Sequence, residues 1–476
     1  MLKPLATLAA MVLVMSAQRA QAAVVATESG RLQGVVADAT GTVMVYRGIP
    51  YAAPPVGALR WREPQPPIAW SGIREASADA PGCMQVVGPD RLPWTAEFMH
   101  HGPVSEDCLY LNLWTPAHPA DARLPVLVFI YGGGFSEGSV SVPLYDGAAL
   151  ARRNLLVVTI NYRLGAFGFL AHPALTHASA HHASGNYGLM DQVAALHWVH
   201  ANIAAFGGDP TRVTISGQSA GAMSAYLLTV APSAKGLFQR AIIESGPGAL
   251  ASFGMPTGKA LTTTLAQAQR AGADFAKSLG ATTVDELRSL KAESLLPTAG
   301  GKPARFGPVI DGWFLPTDAD TAYAAHAQND VPVLIGMMAD EPSAFPGYDA
   351  TKAKATRAQG LHALDELLTA RANDSIQPAY AYYFEHGIPW PQHPQFGAFH
   401  SGELPYVFND LSRLDRPWTP ADRQLAVSVS SYWAAFVASG VPKVKALPVW
   451  PAYRPGSSRF MVFGERPAIR TVSVPP

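Results

Sequence analysis

The sequence has no excess of charge of either sign. Lysine plus arginine number 35 and aspartate plus glutamate number 35 among 476 residues, so the formal net charge is zero at pH 7. A chain without a net field does not concentrate nucleic acid, anionic lipid or highly charged substrates at its surface. The charge balance therefore predicts a neutral or weakly charged small-molecule ligand and argues against nucleic-acid and membrane partners.

Long hydrophobic runs are also missing. The N-terminal apolar stretch 5–17 follows Lys3 and precedes Ala20-Gln-Ala22. A membrane-spanning helix needs about 20 apolar residues, whereas a short apolar core between a basic start and small residues is typical of a secretory signal. We predict a signal peptide at 1–22 and export of the mature chain to the periplasm or beyond it. An uncleaved anchor is the alternative.

Cysteine is scarce, with only Cys83 and Cys108 in the chain. Both follow the predicted signal, and an even count in an exported chain favours a disulfide between them over two free thiols. The bond would close a loop with 24 residues between the cysteines. In the chain-entropy model such a crosslink stabilises the fold by about 3 kcal/mol, so we predict a structural role.

A metal site lacks suitable ligands in the sequence. The cluster of His177, His181 and His182 lies in an Ala/Ser-rich loop without cysteine or carboxylate ligands at metal-binding spacing. We predict a surface loop there, and we expect neither a metal nor an organic cofactor.

Neither an internal repeat nor a domain linker divides the chain, which instead alternates apolar runs with helical periodicity. Continuous apolar runs are typical of strands covered on both faces. They occur at 124–131, 155–161, 241–244 and 331–336. Apolar residues at three- and four-residue intervals predict a helix over 191–206. The alternation predicts an α/β fold with a doubly wound, mostly parallel sheet that starts with antiparallel strands at 24–27 and 41–48.

Two later stretches, 262–279 and 349–373, are helical and polar, which fits helices attached outside the sheet. We predict that the segments at about 255–300 and 345–400 contribute a lid or insertions. Both belong to a single predicted domain, 23–476.

The pattern Gly217-Gln-Ser219-Ala-Gly221 follows an extended apolar run and precedes helical sequence. A serine in such a strand-to-helix turn has unfavourable backbone angles, and small residues two before and two after it let the strand and helix approach. The pattern predicts a nucleophile elbow that exposes the Ser219 hydroxyl. Ordinary Gly/Ser turns share this pattern, so only the presence of suitable partner residues distinguishes a nucleophile elbow from such a turn.

Candidate partners follow the serine along the chain. A serine nucleophile needs a base, normally histidine, which is itself oriented by a carboxylate. Asp340 and Glu341 come just beyond a predicted strand, where ligand-facing residues of open α/β sheets collect, and His400 lies in a small-residue loop. The order serine, acid, histidine is that of α/β hydrolases.

Together, these patterns and several others resemble the type-B carboxylesterase and cholinesterase family over nearly the whole mature chain. The motifs are EDCLYLN at 106–112, YGGGF at 131–135, NYRLG at 161–165, GNYGLMDQ at 185–192, FGGDP at 206–210, GQSAGA at 217–222, ESG at 244–246, the acids at 340–341 and the histidine at 400. The resemblance implies an α/β-hydrolase fold with helices on both faces of the sheet and a serine carboxylesterase activity on small esters.

The resemblance also implies residue roles. Ser219 matches the nucleophile, His400 the base and Glu341 the acid, with Asp340 as the rival acid. The oxyanion donors match the backbone N–H groups of Gly133, Gly134 and Ala220.

Two further assignments come from the same resemblance. Ser245 resembles a serine that supports the acid in some relatives, although a buried serine satisfied by backbone is an alternative. The family's cysteine pair matches Cys83 and Cys108.

Two departures from the family bear on the substrate. Gln218 stands where choline esterases carry a glutamate, which disfavours choline esters. The spacing from Glu341 to His400, 400 − 341 = 59, is short, so we infer trimmed helices and a more open site that accepts bulky or aryl esters. Trp94 is either a cation-binding aromatic or, as we expect, packed in an exposed loop.

The sequence leaves two properties undecided, the reaction and the oligomeric state. An amidase or thioesterase on the same residues, or a non-catalytic binding module on the same fold, are the alternatives in function. The oligomeric state is undetermined, with a monomer favoured.

Overall fold

The computed structural model describes residues 24–117, 121–253, 262–297 and 306–472. The predicted signal peptide at 1–22 lies outside the described residues. Among those residues, no helix is both long and apolar enough to cross a membrane.

The strands of the described residues form one large sheet and three small ones. They are β1 (Val24–Thr27), β2 (Gly30–Gln33), β3 (Val35–Val36), β4 (Val43–Pro50), β5 (Ile73–Glu75), β6 (Gly82–Cys83), β7 (Val104–Ser105), β8 (Tyr110–Pro116), β9 (Leu124–Ile130), β10 (Leu156–Ile160), β11 (Gly208–Gln218), β12 (Arg240–Glu244), β13 (Thr263–Thr264), β14 (Val309–Ile310), β15 (Val333–Met338), β16 (Ala379–Phe384), β17 (Arg459–Phe463) and β18 (Pro467–Thr471).

The large sheet has 11 strands in the order β18-β17-β16-β15-β12-β11-β9-β10-β8-β4-β3. All neighbours from β17 to β10 pair in parallel. The pairs at the two ends are antiparallel. The predicted mostly parallel sheet is therefore confirmed, and its antiparallel N-terminal part includes the strand predicted at 41–48, which is β4. The strand predicted at 24–27 is β1, which lies outside this sheet and pairs with β2 in the small sheet β1-β2-β5. The antiparallel hairpin of β17 and β18 at the opposite edge was not predicted.

Helices lie on both sides of this sheet, as predicted for an α/β-hydrolase fold. They are α1 (Ala148–Ala151), α2 (Gly165–Phe169), α3 (Pro173–Ala178), α4 (Tyr187–Asn202), α5 (Ala220–Leu228), α6 (Leu265–Ser278), α7 (Val284–Ser289), α8 (Ala319–Ala324), α9 (Ala353–Asp374), α10 (Leu404–Val407) and α11 (Pro420–Ser439).

The central strands are buried on both faces because helices cover both sides. Every residue of β10 and of β15 is buried, which explains their continuous apolar sequences. The helix predicted at 191–206 begins earlier, at Tyr187, and its last turn, Ile203–Phe206, is a 3₁₀ helix that ends at the left-handed Gly207. The parallel strands therefore direct their C-terminal ends, and the loops that follow them, to one edge of the sheet.

The two segments predicted to contribute a lid or insertions, 255–300 and 345–400, contain different kinds of secondary structure. The described part of 255–300 contains α6 and α7. The segment 345–400 contains α9, which packs on the 3₁₀ helix Pro247–Phe253, but it also contains β16, a strand of the central sheet. The second segment is thus partly core structure.

Candidate active site

The turn around Ser219 joins β11 to α5. Ser219 has φ 58° and ψ −124°, the unfavourable conformation expected of a residue in this turn. A Cβ on Gly217 would overlap the backbone of Gly221, and a Cβ on Gly221 would overlap the carbonyl of Ile130. Only glycine allows the strand and the helix to approach this closely. The Ser219 amide donates to the Glu244 carbonyl at 2.9 Å, which fixes the turn against β12.

Glu341 and His400 are hydrogen-bonded to each other. The Glu341 side chain follows β15 and is completely buried, and its Oε1 accepts a hydrogen bond from the Met338 amide at 2.8 Å. Its Oε2 contacts His400 Nδ1. A neutral imidazole with its proton on Nδ1 leaves Nε2 as an acceptor, an arrangement that can orient a histidine to act as a base.

Asp340, the rival acid, has other partners. Its Oδ1 accepts from Arg357 Nε at 3.1 Å, and its Oδ2 accepts from the Ala398 amide at 3.0 Å. The Asp340 amide in turn donates to the Ala398 carbonyl at 2.9 Å. Asp340 thus holds the loop that precedes His400, while its neighbour Glu341 contacts the imidazole.

The Nε2 side of His400 contacts Gln218. Gln218 is buried directly before Ser219, and its Nε2 lies 3.3 Å from His400 Nε2. No hydrogen bond joins Ser219 to His400 among the described residues. The structure therefore brings the serine turn and the histidine together through Gln218.

Aromatic rings surround His400. The rings of Phe345 and Phe253 each have centroids 5.6 Å from the imidazole, and Trp94 lies at 6.5 Å. Trp94 Nε1 donates to the His400 carbonyl at 3.3 Å. Trp94 is half-buried in its loop, and the loop between the two cysteines also reaches the histidine. The guanidinium of Arg91 lies 5.4 Å from the Trp94 ring centroid.

The glycine-rich loop after β9 lies against the serine turn. A Cβ on Gly132 would be 2.9 Å from Ser219 Cβ. Gly133 and Gly134 have φ values of 104° and 61°, which glycine adopts without strain. Among the described residues, neither of their N–H groups donates a hydrogen bond outside regular elements. Ala220 is the first residue of α5, so its N–H has no acceptor within the helix.

Two further buried carboxyl groups lie near Glu341, and neither was predicted from the sequence. Glu244 and Glu403 are completely buried, and Trp433 Nε1 donates to Glu244 Oε1 at 2.6 Å. Burial raises the pKa of Glu244 to about 8. Burial and the nearby charges of Glu244 and Glu341 raise the pKa of Glu403 well above its ordinary value.

Glu244 belongs to the ESG motif at 244–246, and Glu403 follows His400 by three residues, but neither glutamate was predicted to have a role. Ser245 Oγ donates to Glu403 Oε1 at 3.4 Å, so its partner is Glu403 rather than Glu341. The sequence offered only their positions as signals: Glu244 directly precedes Ser245, and Glu403 comes three residues after His400.

The two cysteines form a disulfide, as predicted. Cys83 and Cys108 have Cα atoms 5.0 Å apart, and both residues are buried. His177, His181 and His182 are exposed, and the His181 ring stacks on Trp313 at 3.8 Å. The described residues contain no group of three or more His, Cys, Asp or Glu side chains placed to hold a metal ion.

Comparison with known proteins places the chain in a family. The profile of the carboxylesterase family matches residues 21–369 and 358–473. The chain is 38% identical to fumonisin B1 esterase of Sphingopyxis macrogoltabida, over 92% of this chain and 86% of that protein. It is 37% identical to para-nitrobenzyl esterase of Bacillus subtilis, over 90% of this chain and 92% of that protein.

A more distant relative also matches most of the chain. The chain is 32% identical to acetylcholinesterase of Bungarus fasciatus, over 93% of this chain and 83% of that protein. Since the similarity spans nearly the full length of both bacterial esterases, the chain belongs to the carboxylesterase family, has the α/β-hydrolase fold and is a carboxylic ester hydrolase of small-molecule esters.

Proposed function

We propose that the chain hydrolyses neutral carboxylic esters through an acyl-enzyme formed on Ser219. The observation that carries this proposal is the contact of buried Glu341 with His400 Nδ1, beside a serine in a strained strand-to-helix turn. This arrangement supplies a nucleophile, a base and a group that orients the base.

In the proposed reaction, Ser219 Oγ attacks the ester carbonyl carbon as His400 Nε2 takes the hydroxyl proton. The tetrahedral intermediate collapses, and His400 returns that proton to the leaving alcohol. Water then attacks the acyl-enzyme with His400 as base, which releases the acid and restores Ser219. Glu341 stabilises the imidazolium at both stages through its contact with Nδ1.

The developing oxyanion needs donors that are already in place. The N–H groups of Gly133, Gly134 and Ala220 fit this requirement because Ala220 follows Ser219, Gly132 at the start of the glycine-rich loop lies against it, and the three groups are not used in the surrounding secondary structure. Removing one such donor in other enzymes costs roughly 10²–10³ in kcat. Before attack, Gln218 must release His400 Nε2 or share it with Ser219.

The site favours neutral esters with an apolar or aryl part. Phe253, Phe345 and Trp94 surround the histidine, and the side chain before the nucleophile, Gln218, carries no charge. One relative is named for para-nitrobenzyl esters, which contain an aryl alcohol. We therefore propose short-acyl or aryl esters as substrates and place choline esters below them.

The nucleophile is tested by covalent labelling. The wild type, Ser219→Ala and the control Ser233→Ala, which changes an exposed serine, are treated with a fluorophosphonate and digested for mass spectrometry. We expect one adduct, on Ser219, in the wild type and control, and less than a thousandth of wild-type esterase activity in Ser219→Ala. Full activity of Ser219→Ala would show that another nucleophile acts.

The substrate class is tested with matched esters. Nitrophenyl esters of increasing acyl length, benzyl esters of aryl acids and one choline ester are compared by kcat/KM. Higher kcat/KM on the choline ester than on the neutral esters would contradict the proposed preference.

We further propose that the chain is exported after removal of 1–22. The disulfide of two buried cysteines supports an oxidising compartment. N-terminal sequencing of the protein purified from the periplasm or medium is expected to begin at Ala23, and retention of Met1 would contradict cleavage.

A further inference from the structure

Gln85 connects the disulfide to the glycine-rich loop. It lies two residues after Cys83, and its side chain is 4% exposed. Gln85 Nε2 donates to the Gly138 carbonyl at 2.8 Å and to the Cys83 carbonyl at 3.0 Å. Gln85 Oε1 accepts from the Gly138 amide at 2.8 Å. Both backbone groups of Gly138 are therefore bound by a single buried amide.

Gly138 closes the glycine-rich loop, defined here as residues 132–138. A Cβ on Gly138 would overlap the Tyr131 ring and would lie 3.0 Å from the Gly132 carbonyl oxygen. The backbone of Gly138 thus packs directly on the start of the loop. Gly132 in turn lies against Ser219 Cβ. Gly132 therefore contacts both Gly138 at the end of the loop and the turn that carries Ser219.

Hydrogen bonds inside this loop fix the orientation of the peptide group between Gly133 and Gly134. The Gly133 carbonyl accepts from the amides of Ser136 and Glu137, at 3.0 and 3.1 Å, and from Ser136 Oγ at 3.1 Å. A trans peptide is planar, with its C=O and the following N–H on opposite sides. Fixing the Gly133 carbonyl therefore fixes the direction of the Gly134 N–H, one of the proposed oxyanion donors.

We propose that Gln85 is a positioning residue for the oxyanion donors. Through Gly138 it holds the residues that bind the Gly133 carbonyl, and the Cys83–Cys108 disulfide anchors Gln85 itself. The inference rests on the proposed function, because it assigns the Gly133 and Gly134 amides to the oxyanion.

A second link between the same segments is weaker. Arg91, within the disulfide-closed loop, pairs with Glu137 in the glycine-rich loop, but the Arg91 side chain is 53% exposed. Exposed ion pairs contribute about 0–1 kcal/mol, whereas a buried amide with three partners leaves several groups unsatisfied when it is removed. Gln85 is therefore the residue to test.

The test compares Gln85→Met with Gln239→Met. Methionine keeps most of the volume of glutamine and removes its hydrogen bonds. Gln239 is the control, because its partly buried side chain also binds backbone groups, the Val213 amide at 2.8 Å and the Gly236 carbonyl at 3.3 Å, and it lies directly before β12, outside the glycine-rich loop. Both variants lose stability, but only Gln85→Met changes the oxyanion donors.

The measured quantities are kcat and KM per active site, with active sites counted by fluorophosphonate titration. For Gln85→Met we expect kcat to fall roughly tenfold to a hundredfold with KM within about threefold of wild type, since the oxyanion forms only in the transition state. A trifluoromethyl ketone, which forms a tetrahedral adduct, is expected to bind more weakly by a similar factor.

Two outcomes separate the hypotheses. If the wild type is inactive and unlabelled at Ser219, the proposed function fails. If the wild type is active but Gln85→Met matches Gln239→Met in kcat and in ketone affinity, the positioning role is overturned.

A second variant covers failure to fold. If Gln85→Met does not accumulate as folded protein, Gln85→Glu replaces it, because the carboxylate keeps the acceptor for the Gly138 amide but puts a charged oxygen where Nε2 donates to the Gly138 and Cys83 carbonyls. Equal kcat and ketone affinity of Gln85→Glu and wild type would also overturn the role.

Discussion

Gln218 Nε2 lies 3.3 Å from His400 Nε2, the atom that takes the serine proton in the proposed reaction. Because an amide NH₂ only donates, His400 Nε2 is the acceptor in this contact, the same role that the proposed reaction gives it. The residue next to the proposed nucleophile therefore contacts the proposed base directly.

We expect Gln218→Glu to move the acidic limb of the kcat/KM profile to higher pH by about one unit, because a carboxylate beside the imidazole favours the imidazolium. The profile is measured with a neutral nitrophenyl ester from pH 5 to 9. Gln218→Met, which lacks both the charge and the donor, serves as the control. An unshifted limb in Gln218→Glu would contradict the direct contact.

The two adjacent acids are expected to respond very differently to substitution. Glu341→Gln removes the charge beside His400 Nδ1, and we expect kcat to fall by roughly 10³–10⁴. Asp340→Asn changes only the contacts with Arg357 and the Ala398 amide, and we expect a loss below about tenfold. Steady-state kinetics with titrated active sites measure both. The reverse order would make Asp340 the acid.

Glu244 is expected to lower stability as the pH rises. Its pKa is raised from 4.5 to about 8 in the folded state, so between these values the unfolded chain releases a proton that the folded chain keeps. The resulting loss of folding stability is absent below about pH 4.5, grows with pH and is complete above about pH 8.

Glu244→Gln removes this cost and keeps an acceptor for Trp433 Nε1. We expect its Tm to match the wild type near pH 5 and to exceed it by a few degrees near pH 8, measured by calorimetry. Glu465→Gln, an exposed substitution, is the control. A Tm difference that does not change with pH would contradict a neutral Glu244.

Removing the disulfide is expected to weaken both stability and turnover. Cys83→Ala combined with Cys108→Ala should lower the free energy of unfolding by about 3 kcal/mol, measured by urea denaturation. We also expect a lower kcat in the folded variant, because the released loop carries Gln85 and Trp94. Unchanged kcat with reduced stability would limit the disulfide to a structural role.

Much of the fold could be predicted from local sequence. Continuous apolar runs indicated β9, β10, β12 and β15, because strands covered on both faces exclude polar side chains at every position. The small residues around Ser219 predicted the strand-to-helix turn. The presence of only two cysteines left one possible intramolecular disulfide. The hairpin of β17 and β18 was missed, since short edge strands follow a Gly/Pro-rich stretch and carry little periodic signal.

The sequence alone determined which residues stand at strand ends and turns, and so which side chains were candidates. Only the tertiary structure decided which of them meet. Asp340 and Glu341 are adjacent carboxylates, but their side chains point in different directions. Asp340 binds Arg357, whereas Glu341 contacts His400. Gln85 reaches Gly138 across 53 positions, and Gln218 reaches His400 across 182. Local patterns cannot encode such contacts, because they depend on how distant loops pack at one edge of the sheet.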